Sequence, residues 1–559
     1  MFRPPRLLAL VTILLACGAL APVGSASGHA STQAERLIVS FSAAAKRTST
    51  LSALAQAGYT PSRTLDCANA VIVSAPAAAP HASIQALAAL DGVVSVETDD
   101  PFVVSRSASA LKPLPRAYPR PLPGATPKNA QRPSVLPDDE YFTYQWNLQR
   151  IDAATAWDYT TGAADALSTV AILDTGVDSD HPDLAGRVFT QAGYNFVDDN
   201  TDTSDRSPVG SGTQIAGIIA ATANNGAGIA GLTWNGQIIP VKVLGYDPEY
   251  NGDVGRWGDV IAGICHAVTH NAQVIHVGVF ASKLDHATAL RRALDTAVAS
   301  GAVIVAPGGD EWRRGNPTEY PAAFGSVISV SAVNQNDERW AESSSGSYIA
   351  LGAPGVDVVT TVPMALVADG YGLVTGSNVA AAHVSGVTLL MKAVNPTLTA
   401  AQVRDVLRQY ADDIGVPGGD FAFGAGMVNA RRAVLNTPHL LTVSASEPLT
   451  FQWDETGGDY RQPSLSIANT NTSALTWKAV ANVDWLQVAP PQGSTPSLVA
   501  VTPLPPGDGA CGTRTASITA ESTMPHQADG TKDIRVRVYL PECPPLARHV
   551  YFPLISIGQ

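Results

Sequence analysis

Between residues 138 and 436 the chain alternates short apolar runs with stretches of helical periodicity. The runs fall at 168–173, 238–243, 274–279, 302–306 and 327–333. Successive side chains of a strand point to opposite faces, so a run that is apolar almost throughout must be covered on both. Strands of that kind, separated by helices, build a parallel sheet with helices on either side. The expected fold class of this region is therefore α/β, with a parallel sheet flanked by helices.

The flanks read differently. Residues 35–104 carry a small α+β pattern, with strand-like runs at 36–41, 70–73 and 93–97 and helix-like ones at 51–57 and 83–90. A piece of that length folds only marginally alone. Residues 106–137 hold eight prolines, six Lys or Arg and no acid. Such a segment favours extended conformations and reads as a linker, open to outside proteases of basic specificity. Residues 438–543 break into short runs at 441–444, 449–453, 464–468, 498–501, 516–519 and 534–538, separated by Gly and Pro clusters. This predicts an all-β sandwich of immunoglobulin-like type, followed by a tail at 544–559.

Composition narrows the setting. A chain of 559 residues with 45% apolar and 15% charged residues is globular rather than disordered. Its net charge of −13 argues against a nucleic-acid partner. That charge is uneven, +6 over residues 1–137 and −19 over the rest. Residues 1–26 read as an export signal: Arg3 and Arg6, an apolar stretch at 7–20, then small residues up to Ala26. The stretch is short for a membrane span, so the expected product is secreted and extracellular. Leu14-Leu15-Ala16-Cys17 also resembles a bacterial lipobox. The alternative is thus a chain lipid-anchored at Cys17 on the cell surface. Export permits a disulfide between Cys511 and Cys543, which share the β domain. Cys265 stands in an apolar, helix-like stretch and reads as a core filler.

Particular motifs then point to a family. Ala171-Ile172-Leu173-Asp174-Thr175-Gly176-Val177-Asp178, His181-Pro182-Asp183-Leu184, Ala353-Pro354-Gly355 and Phe423-Gly424-Ala425-Gly426-Met427-Val428-Asn429-Ala430 resemble the signatures of the subtilases, the subtilisin-like serine peptidases. The resemblance covers nearly all of 138–436. Residues 35–104 resemble the subtilase propeptide, in the family a folding chaperone and cleft-bound inhibitor. The family's activity is endopeptidase hydrolysis. A serine attacks, a histidine takes its proton, an aspartate orients the histidine, and donors hold the oxyanion.

Four elements depart from that pattern. Asp174 matches the family aspartate, at the end of a strand. The family's His-Gly-Thr-His-Val-Ala-Gly becomes Ser211-Gly212-Thr213-Gln214-Ile215-Ala216-Gly217, so Ser211 stands at the histidine position. A hydroxyl cannot serve as a base near neutral pH, and Ser211 with Gln214 reads as a helix capping box. At the serine motif, Gly376-Ser377-Asn378-Val379 puts Asn378 at the nucleophile position, where it reads as an N-cap. His383, further on, reads as structural. Ala306-Pro307-Gly308-Gly309 leaves Gly309 at the oxyanion asparagine, with no side-chain donor. The substrate-pairing strand becomes Gly278-Val279-Phe280-Ala281, where Phe280 replaces a pocket-lining glycine and its ring is expected to fill the pocket.

The resemblance also implies a structural calcium held by Asp183 and Asn225, with Asp139 as a third ligand, since hard oxygens suit that ion. In the β domain Trp453, Trp477 and Trp485 read as core residues, with a glycan-stacking role as the alternative. Three functions follow. The first is a pseudoprotease retained for binding, scaffolding or regulation, with its own propeptide or another polypeptide as partner. The second is an active serine endopeptidase with a rearranged site. The third is a cell-surface or glycan-binding protein acting through the β domain.

Overall fold

A computed structural model of the chain describes residues 36–42, 47–74, 80–104, 111–114, 136–163, 168–282, 284, 287–438 and, within 441–539, the strands and the turns between some of them. Residues 1–26 with Cys17, most of the 106–137 linker, Cys511, Cys543 and the 544–559 tail lie outside the described residues.

The N-terminal unit runs β1 (Arg36–Phe41), α1 (Arg47–Gln56), β2 (Thr60–Leu65), β3 (Ala70–Ser74), α2 (Pro80–Ala88) and β4 (Val93–Thr98). Its strands form an antiparallel sheet in the order β2-β3-β1-β4. Both faces of this sheet are apolar, and the alternation decides what covers each. Leu37, Val39, Phe41, Val71 and Val73 cluster with Leu54 and Leu87 of the two helices. Ile38, Leu65, Ala70 and Ile72 face the other way and join a cluster of the central domain. A second apolar face must be buried against something, and here the rest of the chain supplies it. β2 had no apolar signature because it is an edge strand, mostly exposed. After β4 come β5 (Pro101–Val104) and β6 (Lys112–Pro113).

The central domain opens with α3 (Trp146–Arg150) and α4 (Ala153–Ala156), then β7 (Thr169–Asp174), β8 (Tyr194–Asn195), α5 (Ser211–Ala220) and β9 (Gln237–Lys242). It continues through β10 (Leu244–Asp247), β11 (Gly252–Arg256), α6 (Trp257–Thr269), β12 (Val274–Val277), α7 (Thr288–Ala299), β13 (Val303–Pro307) and β14 (Val327–Val333). It closes with β15 (Leu351–Pro354), β16 (Val358–Thr361), β17 (Tyr371–Val374), α8 (Ser377–Val394), α9 (Ala400–Gln409) and α10 (Ala430–Leu435). Seven strands form one sheet, β15-β14-β13-β12-β7-β9-β8, parallel throughout. The five apolar runs all became strands of it. Helices α5 and α8 share one apolar cluster, α6 and α7 the other, so both faces are covered as expected.

Strand order reverses beside β7, whose neighbours are β12 on one side and β9 on the other. In open α/β sheets a crevice forms at such a point, beyond the carboxyl ends of the strands. Two small sheets join the flanking segments to the central domain. β5 of the N-terminal unit adds to the β10–β11 hairpin, pairing Val104 with Asp253 and Phe102 with Gly255. β6 adds to the β16–β17 hairpin, pairing Lys112 with Leu373.

Cys265 is not a core filler. It lies on α6 and forms a disulfide with Cys67, 198 residues earlier, in the turn between β2 and β3. No local spacing announces such a pair; it exists because docking brings that turn onto α6. Beside it Arg36 and Arg63 both reach Asp259 of α6, at 2.9 and 2.7 Å.

Between Leu441 and Tyr539 the described strands form sheets of four and six strands around Phe451, Leu465, Ile467, Trp477, Val499 and Val536. This is the expected sandwich, with added short strands such as Thr476–Ala481 and Leu486–Ala489. Trp477 is buried in that core. Trp485 packs partly against it and meets the Arg514 guanidinium at 5.7 Å. The Trp453 side chain lies outside the described residues.

Candidate active site

The polar side chains at the switch point come from β7, β12, α5 and α8. Asp174 is the last residue of β7 and is fully buried. Its Oδ1 accepts the Thr175 N–H at 2.8 Å. Its Oδ2 accepts from Ser211 Oγ at 3.1 Å and from Asn378 Nδ2 at 2.8 Å. The Asn378 amide also lies 3.1 Å from Ser211 Oγ. Three residues singled out in the sequence thus meet in one cluster.

Both capping readings are corrected by this geometry. Ser211 is the first helical residue of α5, behind the N-cap Gly210, and its hydroxyl turns to Asp174 instead of to the helix amides. Gln214 reaches back to the Val209 carbonyl at 2.5 Å. Asn378 is the second helical residue of α8, behind the N-cap Gly376, and its amide likewise leaves the helix for Asp174. A buried carboxylate is a stronger acceptor than the alternatives, and it draws both donors.

The sequence reading missed His276. It is the polar residue in the buried Val274-Ile275-His276-Val277 strand, and its Nε2 lies 2.9 Å from Asn378 Oδ1. An amide oxygen only accepts, so Nε2 carries the proton and Nδ1 accepts from Ser385 Oγ at 3.0 Å. Burial pushes the imidazole pKa down, opposed by the Asn378 bond and the Asp174 charge. Both His276 and Ser385 are fully buried. The one signal available was a lone histidine inside an otherwise apolar strand.

Gly309 adopts φ +104°, a conformation that favours glycine. A Cβ there would meet Glu319 Cγ at 2.3 Å, so space as well as backbone excludes a side chain. Its N–H donates to Ser377 Oγ at 3.2 Å, and the Ser377 N–H donates to Asp310 Oδ1 at 3.0 Å. Glu319, also missed, is fully buried with both carboxyl oxygens unpartnered. Burial, with the charges of Glu311 and Asp310 added, pushes its pKa up to about 8. Behind Asp174, Asp205 accepts both the N–H and the hydroxyl of Thr213, and burial raises its pKa to about 6.

Gly278 passes against the cluster, where a Cβ would sit 2.1 Å from Asp174 Oδ2. Val279 and Phe280 are buried, and the Phe280 ring belongs to an apolar cluster with Leu290 and Phe324. His383 is structural as read: it is buried, its Nε2 lies 2.8 Å from Asn147 Nδ2, and burial lowers its pKa to about 4.

Asp183, Asn225 and Asp139 come together in a separate corner. Asp183 accepts from Asn225 Nδ2 at 3.1 Å and from the Ile229 N–H at 2.9 Å. Asp139 Oδ2 accepts the Asn224 N–H at 2.7 Å, and its buried Oδ1 has no partner. Burial raises the Asp139 pKa, and the Asp183 charge adds to it. The donor type fits a hard cation, and the orphaned oxygen is a spare ligand. Among the described residues no group of three or more His, Cys, Asp or Glu is placed to hold a metal.

A carboxylate at the end of a parallel strand, beside two helix starts and a backbone turn, fits the α/β fold with a helix-flanked parallel sheet expected from the motifs. Comparison with known proteins agrees. The subtilase family model matches residues 167–426. Thermitase of Thermoactinomyces vulgaris is 35% identical over 300 residues, covering 53% of this chain and 99% of that protein. A thermophilic serine proteinase of Bacillus sp. (strain AK1) is 35% identical over 300 residues, 53% of this chain and 69% of its own length. Subtilisin of Bacillus pumilus is 37% identical over 267 residues, 47% of this chain and 90% of its own length. The chain belongs to the subtilase family.

Proposed function

We propose that this chain is an exported pseudoprotease, a subtilase framework kept for binding, scaffolding or regulation. In this reading Ser211 stands in place of the general base, Asn378 in place of the nucleophile and Gly309 in place of the oxyanion donor. The observation that carries it is the hydrogen bonding of Asp174, whose Oδ2 is taken by Ser211 and Asn378. Serine-triad chemistry needs an imidazole between aspartate and serine. In subtilisin, loss of triad members costs about a millionfold and loss of one oxyanion donor about a hundredfold or more. The purified protein is expected neither to cleave casein nor to react with a fluorophosphonate. Labelling of any cleft residue would sink the proposal.

The second reading, an active endopeptidase with a rearranged site, is favoured by family membership. It would have to use His276, whose Nε2–H is directed at an amide oxygen. It requires casein cleavage that disappears in Asp174→Ala.

The N-terminal unit acts, in this proposal, as a propeptide-type domain whose β5 occupies the β11 edge of the central domain. Residues 1–26 direct export, with a lipid anchor at Cys17 as the variant. Calcium, if carried, is held by Asp183, Asn225 and Asp139. Chelation with EGTA is then expected to lower the unfolding temperature, and Asp139→Ala to abolish that response. An unchanged melting curve would remove the ion from the account.

A further inference from the structure

In a releasable inhibitor the domain and the enzyme are joined only by a chain segment that can be cut. This molecule has a second connection. Cys67 and Cys265 join the N-terminal unit to α6. The contacts around the bond form a continuous docking surface. Thr296 Oγ1 of α7 donates to the Cys67 carbonyl at 2.8 Å, and Arg292 to the Phe41 carbonyl at 2.8 Å. Glu97 accepts the Thr288 N–H at 3.0 Å, at the start of α7. Arg63 bridges Asp199 and Asp259, both at 2.7 Å. Asp99, just after β4, accepts the Gly258 N–H at 2.8 Å, at the start of α6.

We propose that the N-terminal unit is a permanent, disulfide-locked component of the folded protein. Cutting the chain after β6 yields a two-chain molecule in which β5 stays on the β11 edge. The inference holds whether or not the site is catalytic, because a cut by any protease, including this one, leaves the sulfur bridge intact. Its failure is therefore separate from failure of the pseudoprotease reading.

Release needs a reductant. A thiolate of an added dithiol attacks one sulfur and breaks the bond between Cys67 and Cys265. Its second thiolate then displaces the protein thiol. Cys67 and Cys265 end as thiols, and the dithiol leaves as its own cyclic disulfide. Both cysteines line an open groove of about 380 Å³ with Arg63, Tyr194 and His266, so such a reagent has access.

The test uses the full chain as exported. Brief trypsin treatment is directed at the linker bonds after Arg116 and Lys128, neither of which precedes a proline, with the cut placed by mass spectrometry. Denaturing electrophoresis without reductant is expected to show one species containing both pieces, and two species after dithiothreitol. Gel filtration of the cut, unreduced protein is expected to keep both pieces in one peak. Mapping of the uncut, unreduced protein is expected to show the Cys67 peptide joined to the Cys265 peptide. Separation of the pieces without reductant overturns the proposal. So does alkylation of both cysteines by iodoacetamide before any reduction.

Discussion

Asn378 does the most at the residue scale, because its amide joins two buried groups of opposite need. Nδ2 supplies a donor to the Asp174 carboxylate and Oδ1 supplies an acceptor to His276. Asn378→Ala removes both at once, leaving a carboxylate short of a donor and an imidazole N–H without a partner. Each orphaned buried group costs about 1–3 kcal/mol, so the urea midpoint should fall clearly. An unchanged midpoint would mean that the cluster is stabilised elsewhere. Glu319 gives a pH signature. Its pKa rises from an ordinary 4.5 to about 8 on folding, so the native state holds the proton more tightly. Its contribution is fully present below pH 4.5 and is lost as pH rises to about 8. Glu319→Gln should therefore gain on the parent protein between pH 5 and pH 8.5; a parallel pair of melting curves would contradict this. Asp174, Ser211 and Asn378 were legible because each sits in a motif whose neighbours fix its place. His276 and Glu319 were not, since neither spacing nor hydrophobic pattern says which polar residue faces a polar cluster.

Elements differed in legibility for a physical reason. Strands β7, β9, β12, β13 and β14 are buried on both faces, and that burial is written as runs that are apolar almost throughout. Edge strands such as β2 and the short pairing segments β5 and β6 draw their order from backbone bonds to a partner, which leaves no such trace. Docking of the N-terminal sheet was half visible, in that β1 and β3 are apolar on both faces. What the second face meets depends on α6. There Asp259 is buried and receives both Arg36 and Arg63, whose side chains are 28% and 19% exposed. Asp259→Asn keeps the shape and removes the charge, leaving two guanidiniums near each other without it. Exposed pairs contribute about 0–1 kcal/mol and removing one partner of a buried pair costs about 3–5 kcal/mol, so the loss here is expected between those limits. Hydrogen exchange in β1 and β3 should speed up while β7 and β13 stay unchanged. Equal protection in the variant would show that apolar burial alone holds the sheet in place.

At the scale of the whole molecule the disulfide ties the N-terminal unit to the central domain, and the two are expected to unfold as one cooperative body. A unit of this size is marginal by itself, and its second apolar face is satisfied only while docked. Linking positions 198 residues apart restricts the unfolded chain, an effect of about 5 kcal/mol in the chain-entropy account. The double variant Cys67→Ser, Cys265→Ser loses that restriction but keeps the ion pairs and the apolar contact. Its N-terminal unit should come off first as urea rises, giving two transitions where the oxidised parent protein gives one over residues 36–438. Trp257 offers a local reporter, because its ring lies 4.8 Å from that of Phe102 on β5 and is almost fully buried. In the variant, exchange protection of β1 and β3 should be lost at lower urea than that of β7. In the parent protein the two should be lost together, and adding dithiothreitol should convert its behaviour into that of the variant. Coincident loss in both proteins would place the coupling in the non-covalent interface and leave the disulfide without a role in cooperativity.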